Sequence, residues 1–201
     1  LKRKGLIPYV KIFVDSPLAI RSTHVYEKHA ELLNPEAAQF QKEFGALLEH
    51  NDIEYLEDSR HHEALMYYSE PCVIISAAGM VEGGRIQEHV SNNIENPYST
   101  ILISGYCAEG TFGYRLLNGQ STISIKNRTK RVLAKIASTD IFSSHPDGDE
   151  IYNYIYQTNQ NGCNKVFLVH GDETQMNLMN ERLGFVGIKA EMPEQGQVFD
   201  L

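Results

Sequence analysis

Short apolar runs, each broken by a polar or glycine-rich loop, recur along this chain. Ile12-Phe13-Val14, Val73-Ile74-Ile75, Ile101-Leu102-Ile103 and Val166-Phe167-Leu168-Val169 read as buried strands. Their loops begin at Asp15, Ser76, Ser104 and His170. Helical spacing follows several of them. Leu18, Val25 and Tyr26 mark a helix reaching about His29, with Asp15 and Ser16 as candidate caps and Pro17 at the first helical position. Thr111 can cap a helix running to Leu117. Met176, Met179 and Leu183 mark another, from about residue 174 to residue 183. Residues 34 to 51 predict one helix or two, with Phe40, Phe44, Leu47 and Leu48 inward. The alternation implies an α/β fold: a largely parallel, Rossmann-like sheet flanked by helices, its polar strand ends on one edge. The loops at residues 76–85 and 104–111 are therefore expected on the same edge of one sheet.

From Ser121 the texture changes. Thr122-Ile123-Ser124-Ile125 and the run from Arg131 to Ile136 alternate as half-buried strands do, with Asn127-Arg128 as a hairpin turn. A domain boundary is expected near residue 120, dividing the chain into residues 1–120 and a C-terminal α/β segment, residues 121–201. Within that segment, Ile141-Phe142-Ser143-Ser144-His145-Pro146-Asp147-Gly148-Asp149-Glu150 sets hydroxyls, an imidazole and carboxylates before a helix. The helix should start near Glu150, carry Ile151, Tyr154 and Ile155 on one face, and be capped by Asp147 or Asp149. Residues 188 to 191 suit a short closing strand.

Composition narrows the class. The chain has 201 residues, 42% hydrophobic and 22% charged, enough for one large or two small domains with a proper core. No apolar run approaches the roughly 20 residues a membrane span needs, and no signal peptide is evident. Three widely spaced cysteines, Cys72, Cys107 and Cys163, fit a reducing cytoplasm rather than a disulfide framework. A formal net charge of -8 gives no bulk attraction for nucleic acid, although Lys126, Arg128, Lys130, Arg131 and Lys135 offer a local basic surface. The first residue is Leu1, so the chain is expected to begin inside a longer protein.

Several loops carry candidate chemistry. Ser76, Gly79, Gly83, Gly84 and Arg85, together with Gly105, can bring backbone N–H groups close to a phosphate, although the spacing is neither a P-loop nor a dinucleotide fingerprint. A tight structural turn is the alternative. The helix start after Ser144, His145 and Asp147 likewise suits an anion, against the plainer reading of a polar loop with a capped helix. His170 ends an apolar run, where α/β folds collect ligands, or else it is a core-edge histidine donating to a carbonyl. Two histidines about 25 residues apart, each at a junction between an apolar run and a helix, strengthen the site reading. The adjacent His61-His62 pair points in two directions and reads as a solvated face.

These stretches together resemble the β-CASP group of metallo-β-lactamase-fold nucleases. The matching residues run in order: Val14-Asp15-Ser16-Pro17-Leu18-Ala19; Ser76-Ala77-Ala78-Gly79-Met80 with Gly83-Gly84-Arg85; Gly105-Tyr106 with Glu109-Gly110-Thr111; Phe142-Ser143-Ser144-His145-Pro146-Asp147; and Val169-His170-Gly171-Asp172. The Gly79-Met80 loop looks more like the branch containing archaeal and bacterial homologues of the mRNA 3′-end cleavage subunit than like RNase J. The resemblance implies a β-CASP domain followed by a segment returning to the lactamase fold. It also implies that His145 faces the scissile phosphate and that His170 ligates one of two catalytic zinc ions. A zinc pair activates water, and a nearby imidazole stabilises charge or protonates the leaving oxygen. The chain departs from the family at Pro146, where Ala is usual, and at Asp172, where Glu is usual. The HxHxDH run and the acidic residue of the first β-CASP motif do not occur in it.

The expectation is therefore a C-terminal, RNA-clamping part of a two-zinc ribonuclease, with single-stranded RNA and the N-terminal metallo-β-lactamase region as partners and no membrane. With one zinc-ligating histidine, the chain alone is expected to bind zinc weakly and not to cleave. The alternatives are a non-catalytic binding or scaffold homologue, or an independent nucleotide-binding domain. An HxHxDH upstream would favour the enzyme, whereas a nucleotide phosphate held at residues 76–84 without any partner domain would favour the last. RNA against DNA, endo- against exonuclease action, and oligomeric state (a homo-oligomer included) are left open by the sequence.

Overall fold

A computed structural model describes residues 2, 4–125, 128–143, 145–160 and 162–200. Asn127 of the expected hairpin turn, Lys126 of the basic surface and the site candidate Ser144 lie outside the described residues. The chain forms two compact units, Leu1–Phe142 and Ser143–Leu201.

The first unit opens with β1 (Lys11–Val14) and α1 (Pro17–Lys28). Ser16 caps α1, its hydroxyl accepting from the Ala19 amide at 3.3 Å, and Pro17 occupies the first turn as its missing N–H allows. A 3-10 turn (Ala30–Leu32) leads to α2 (Pro35–Phe44), capped by Asn34. The expected pattern to residue 51 stops at Phe44 because Gly45 turns left-handed at φ 81°. The next amides donate to the Glu27 carboxylate, Leu47 at 3.1 Å and Leu48 beside it.

Then come β2 (Ile53–Tyr55), α3 (Ser59–Leu65) and β3 (Cys72–Ile75). β1 lies between β2 and β3, parallel to both, with Phe13 opposite Glu54 and Ile74. Next along the chain are α4 (Ile86–Asn93), β4 (Thr100–Ile103), α5 (Phe112–Leu117), β5 (Thr122–Ile125), β6 (Arg128–Arg131) and β7 (Lys135–Ser138). β4 pairs with β7 in parallel, and β5 with β6 antiparallel.

Parallel pairing flanked by helices is as the sequence implies, but among the described residues the strands do not form a single sheet. β3 and β4 belong to separate sheets, because β4 takes β7 as its partner. The strand expected from Arg131 to Ile136 is broken. The Val132 amide donates to the Ser121 carbonyl, and those of Leu133 and Ala134 both donate to the Ile94 carbonyl, so β6 and β7 serve different sheets. The runs of β3 and β4 are also covered on one face only, whereas β1 buries Phe13 and Val14 on opposite faces. Val73 and Ile75 of β3 and Leu102 of β4 are exposed.

The main core is Val81, Val90, Ile94, Ile103, Cys107, Phe112, Leu116, Ile123 and Ile125. It joins α4, α5, β4 and β5, each buried aliphatic or aromatic side chain contributing roughly 1.5–3 kcal/mol. A smaller cluster of Phe13, Leu56 and Leu65 sits beneath β1.

The second unit contains α6 (Gly148–Gln160), β8 (Val166–Phe167), α7 (Glu173–Gly184) and β9 (Ala190–Glu191), with β8 and β9 parallel. Arg182 of α7 reaches α6, where it bonds Asp149 at 2.6 Å and lies 4.1 Å from the Tyr152 ring centre. Leu183 is fully buried.

Candidate functional site

Asp15, at the end of β1, is the centre of a polar network. Its carboxylate is fully buried. Oδ1 accepts from Arg85 Nη1 at 2.6 Å. Oδ2 meets His62 Nδ1 at 2.5 Å and His89 Nε2 at 2.6 Å. The same Arg85 nitrogen also donates to the Leu56 carbonyl at 3.0 Å, and His62 Nε2 reaches Glu88 Oε2 at 3.0 Å. The backbone closes the knot: the Asp15 amide donates to Ile75, and the Ser76 hydroxyl donates to the Asp15 carbonyl at 2.8 Å.

Burial alone would raise the Asp15 carboxyl, but the donors from His62, His89 and Arg85 outweigh it and hold the group below the usual carboxylate range. Burial alone would lower His62, yet hydrogen bonds to Glu88 and Asp15 raise it. At His89 burial prevails and the imidazole is lowered. The two imidazoles on Asp15 are thus shifted in opposite directions, His62 towards holding its proton and His89 towards losing it.

The sequence missed this hub. Asp15 does not cap α1; Ser16 does. His61 is exposed as expected, but His62 is buried, a correction to the solvated reading of the pair. The available signal was spacing: His62 lies three residues before buried Leu65 and so shares its helix face.

The glycine-rich loop runs alongside. Gly83 and Gly84 adopt positive φ, 72° and 68°. A Cβ on Gly84 would sit 2.9 Å from the Ala77 carbonyl oxygen, so the turn requires glycine there. Gly79, Gly83 and Gly84 are exposed, whereas Ser76 and Gly105 are half-buried. Gly79 and Gly105 have open space where a side chain would stand. Although their strands belong to separate sheets, the two loops meet. Gly113 donates to the Met80 carbonyl at 2.9 Å and Phe112 donates to Glu82 Oε1 at 2.5 Å. Cys107 Sγ approaches the Gly79 carbonyl at 3.8 Å. Thr111 caps α5 as the sequence implies. Of the basic cluster, Lys130 donates to the Ser91 carbonyl at 2.6 Å, while Arg128 and Lys135 are exposed.

In the second unit His145 and His170 are both exposed. Among the described residues no hydrogen bond or ring contact joins their imidazoles. His145 precedes α6, whose start is closed by its own carboxylates. Asp147 Oδ1 accepts from the Asp149 and Glu150 amides at 2.9 and 2.8 Å, and Glu150 returns a bond to the Asp147 amide at 3.0 Å. Asp147 is thus the cap, and α6 begins at Gly148 rather than Glu150. His170 has a positive φ of 61° between β8 and α7, and Asp172 caps α7 through the Thr174 amide at 3.0 Å.

The Beta-Casp domain model matches residues 1–116, which is more than half of the chain. The chain belongs to the Beta-Casp family. A second model, the Zn-dependent metallo-hydrolase RNA specificity domain, matches residues 129–193. The Beta-Casp chain is 32% identical over 181 residues to the transcription termination factor FttA of Methanosarcina mazei, covering 85% of itself and 28% of that protein. It is 28% identical over 173 residues to an RNase J-like protein of Methanocaldococcus jannaschii (86% and 38%). It is 23% identical over 191 residues to a ribonuclease of Thermus thermophilus (95% and 43%). The chain therefore spans less than half the length of these relatives.

The second match brings zinc into consideration. Among the described residues the group of three ligand atoms close enough to share an ion is Asp15, His62 and His89, and it does not include His170. The described residues thus do not by themselves fit a two-zinc centre built on His170. Among them, too, no helix is long and apolar enough to cross a membrane.

Proposed function

We propose that this chain is the RNA-clamping, C-terminal part of a zinc-dependent ribonuclease that hydrolyses phosphodiester bonds in RNA processing or decay. The observation that carries this reading is the order of the two family matches, Beta-Casp then RNA specificity domain, with His145 and His170 in the second. Residues 1–120 act as the β-CASP module and residues 121–201 as the segment that joins a metallo-β-lactamase-fold domain, although β5 packs into the core of the first unit. The substrate is single-stranded RNA in the cytoplasm. Its phosphates meet the exposed backbone around Gly79 and Gly83 and, in the second module, the stretch from Ser144 to Asp147. His145, exposed, acts on the scissile phosphate; His170 supplies one imidazole to the parent's metal centre.

In this reading the chain alone is inactive, because one imidazole does not hold a catalytic zinc that normally takes three protein ligands. The test uses the intact parent. His170→Ala should weaken binding at one metal, because it removes a ligating nitrogen. His145→Ala should keep zinc and turn over single-stranded RNA roughly 10²–10⁴-fold more slowly. Zinc per chain, turnover and a melting curve are measured for each variant. Full metal and full activity in both would refute the assignment and leave each loop as a plain polar turn before a capped helix. Zinc loss in His145→Ala alone would reverse the two roles.

A further inference from the structure

The Asp15 hub has the anatomy of a metal site. Two imidazole nitrogens from different helices, His62 Nδ1 on α3 and His89 Nε2 on α4, converge on one carboxylate oxygen, Asp15 Oδ2. All three residues are buried, and their ligand atoms lie within 4.8 Å of one another. Each inner group is oriented from outside. Arg85 holds the other Asp15 oxygen at 2.6 Å, and Glu88 accepts from the outer nitrogen of His62 at 3.0 Å. Carboxylate partners on the outer nitrogen of a ligating histidine are a recurrent feature of metal sites, where they fix ring orientation and raise basicity.

We infer that Asp15, His62 and His89 bind a divalent transition ion of zinc type, separate from the centre to which His170 is assigned, and that this ion ties β1 to α3 and α4. Two imidazoles and one carboxylate are a donor set suited to zinc, with water in the fourth position. Tetrahedral bonds of about 2.0–2.2 Å place ligand atoms about 3.3 Å apart. The present separations of 2.5 and 2.6 Å must therefore open by about 0.7 Å, a small rotation of two imidazoles. The ion displaces the ring protons now shared with Asp15. Its entry is the edge where Glu88, with a side chain 41% exposed, meets His62.

The chain is stripped with a chelator, dialysed and titrated with Zn²⁺ alone by calorimetry, and with Co²⁺ by visible absorption. One ion per chain and a tetrahedral Co²⁺ spectrum are expected. His62→Gln and His89→Gln should each abolish stoichiometric uptake while circular dichroism shows a retained fold. Glu88→Gln should weaken affinity roughly 10-fold through the outer nitrogen of His62. His61→Ala, beside the site but exposed, should leave uptake unchanged. If a glutamine variant fails to fold, crystals of the unaltered chain soaked with Zn²⁺ decide by anomalous scattering: a peak among Asp15, His62 and His89 supports the site. A folded chain that takes up no zinc, uptake that survives both glutamine variants, uptake lost in His170→Ala, or an anomalous peak elsewhere would each overturn it.

Discussion

Replacing Arg85 by Ala separates two roles for one residue. As a phosphate contact Arg85 matters only to RNA; in the structure its Nη1 is committed to Asp15 and to the Leu56 carbonyl. Breaking a buried ion pair from one side costs roughly 3–5 kcal/mol, because the remaining charge stays buried. Asp15 is fully buried but keeps two imidazole donors, and the Arg85 side chain is 23% exposed, so the lower end applies, about 3 kcal/mol. For a unit of this size each kcal/mol moves the melting temperature roughly 2–4 °C, so the variant should melt about 6–12 °C lower. Thermal unfolding by circular dichroism in chelator-treated buffer measures this without any metal contribution, alongside binding of single-stranded RNA. An unchanged melting temperature with weakened RNA binding would refute the hub reading and return Arg85 to the phosphate surface.

Gly113→Ala should destabilise the first unit by about 1–3 kcal/mol, since a Cβ there would fall 2.5 Å from Cys107 Sγ and 2.9 Å from the Met80 carbonyl oxygen; a denaturant midpoint equal to the parent's would contradict that contact. His170→Gly should stabilise the second unit by up to about 1 kcal/mol, because glycine relieves the φ of 61°, while removing any metal affinity that depends on the ring; hydrogen exchange of the α7 amides reads the first effect, and a loss of protection would count against it.

Much of the frame was legible because it is local. Val14, Ile75 and Ile103 end their strands together with their apolar runs, whereas β8 stops at Phe167, two residues before the expected end at Val169; Thr111 and Asp147 are caps by residue type and position. What escaped is non-local or short. β2 is the three-residue segment Ile53–Tyr55 with a glutamate in its middle, and its partner β1 is some forty residues away. α4 is eight residues rich in polar side chains, so it leaves little periodicity to count. The hub joins residues 15, 62, 85 and 89, and each has an ordinary local reading as a cap, a surface histidine, a loop arginine or a helix residue. Only the crossing of β1, α3 and α4 turns four ordinary residues into one network.

The hub and the two exposed histidines weigh differently on function. The hub satisfies itself: Asp15, Arg85, His62 and His89 partner one another and hold the ends of β1 and β3. A binding module without chemistry would need it as much as an enzyme, so its presence does not favour either. His145 and His170 contribute little to the local fold. The helix starts beside them are capped by Asp147 and Asp172, and the rings themselves are exposed. At His170 the backbone adopts a conformation that glycine takes more easily, yet the residue carries an imidazole. Structure alone gives no reason for a ring at that position, whereas a ligand would. His145 and His170 are therefore positions where substitution separates function from stability, since each is exposed and the adjacent helix start is capped by another residue.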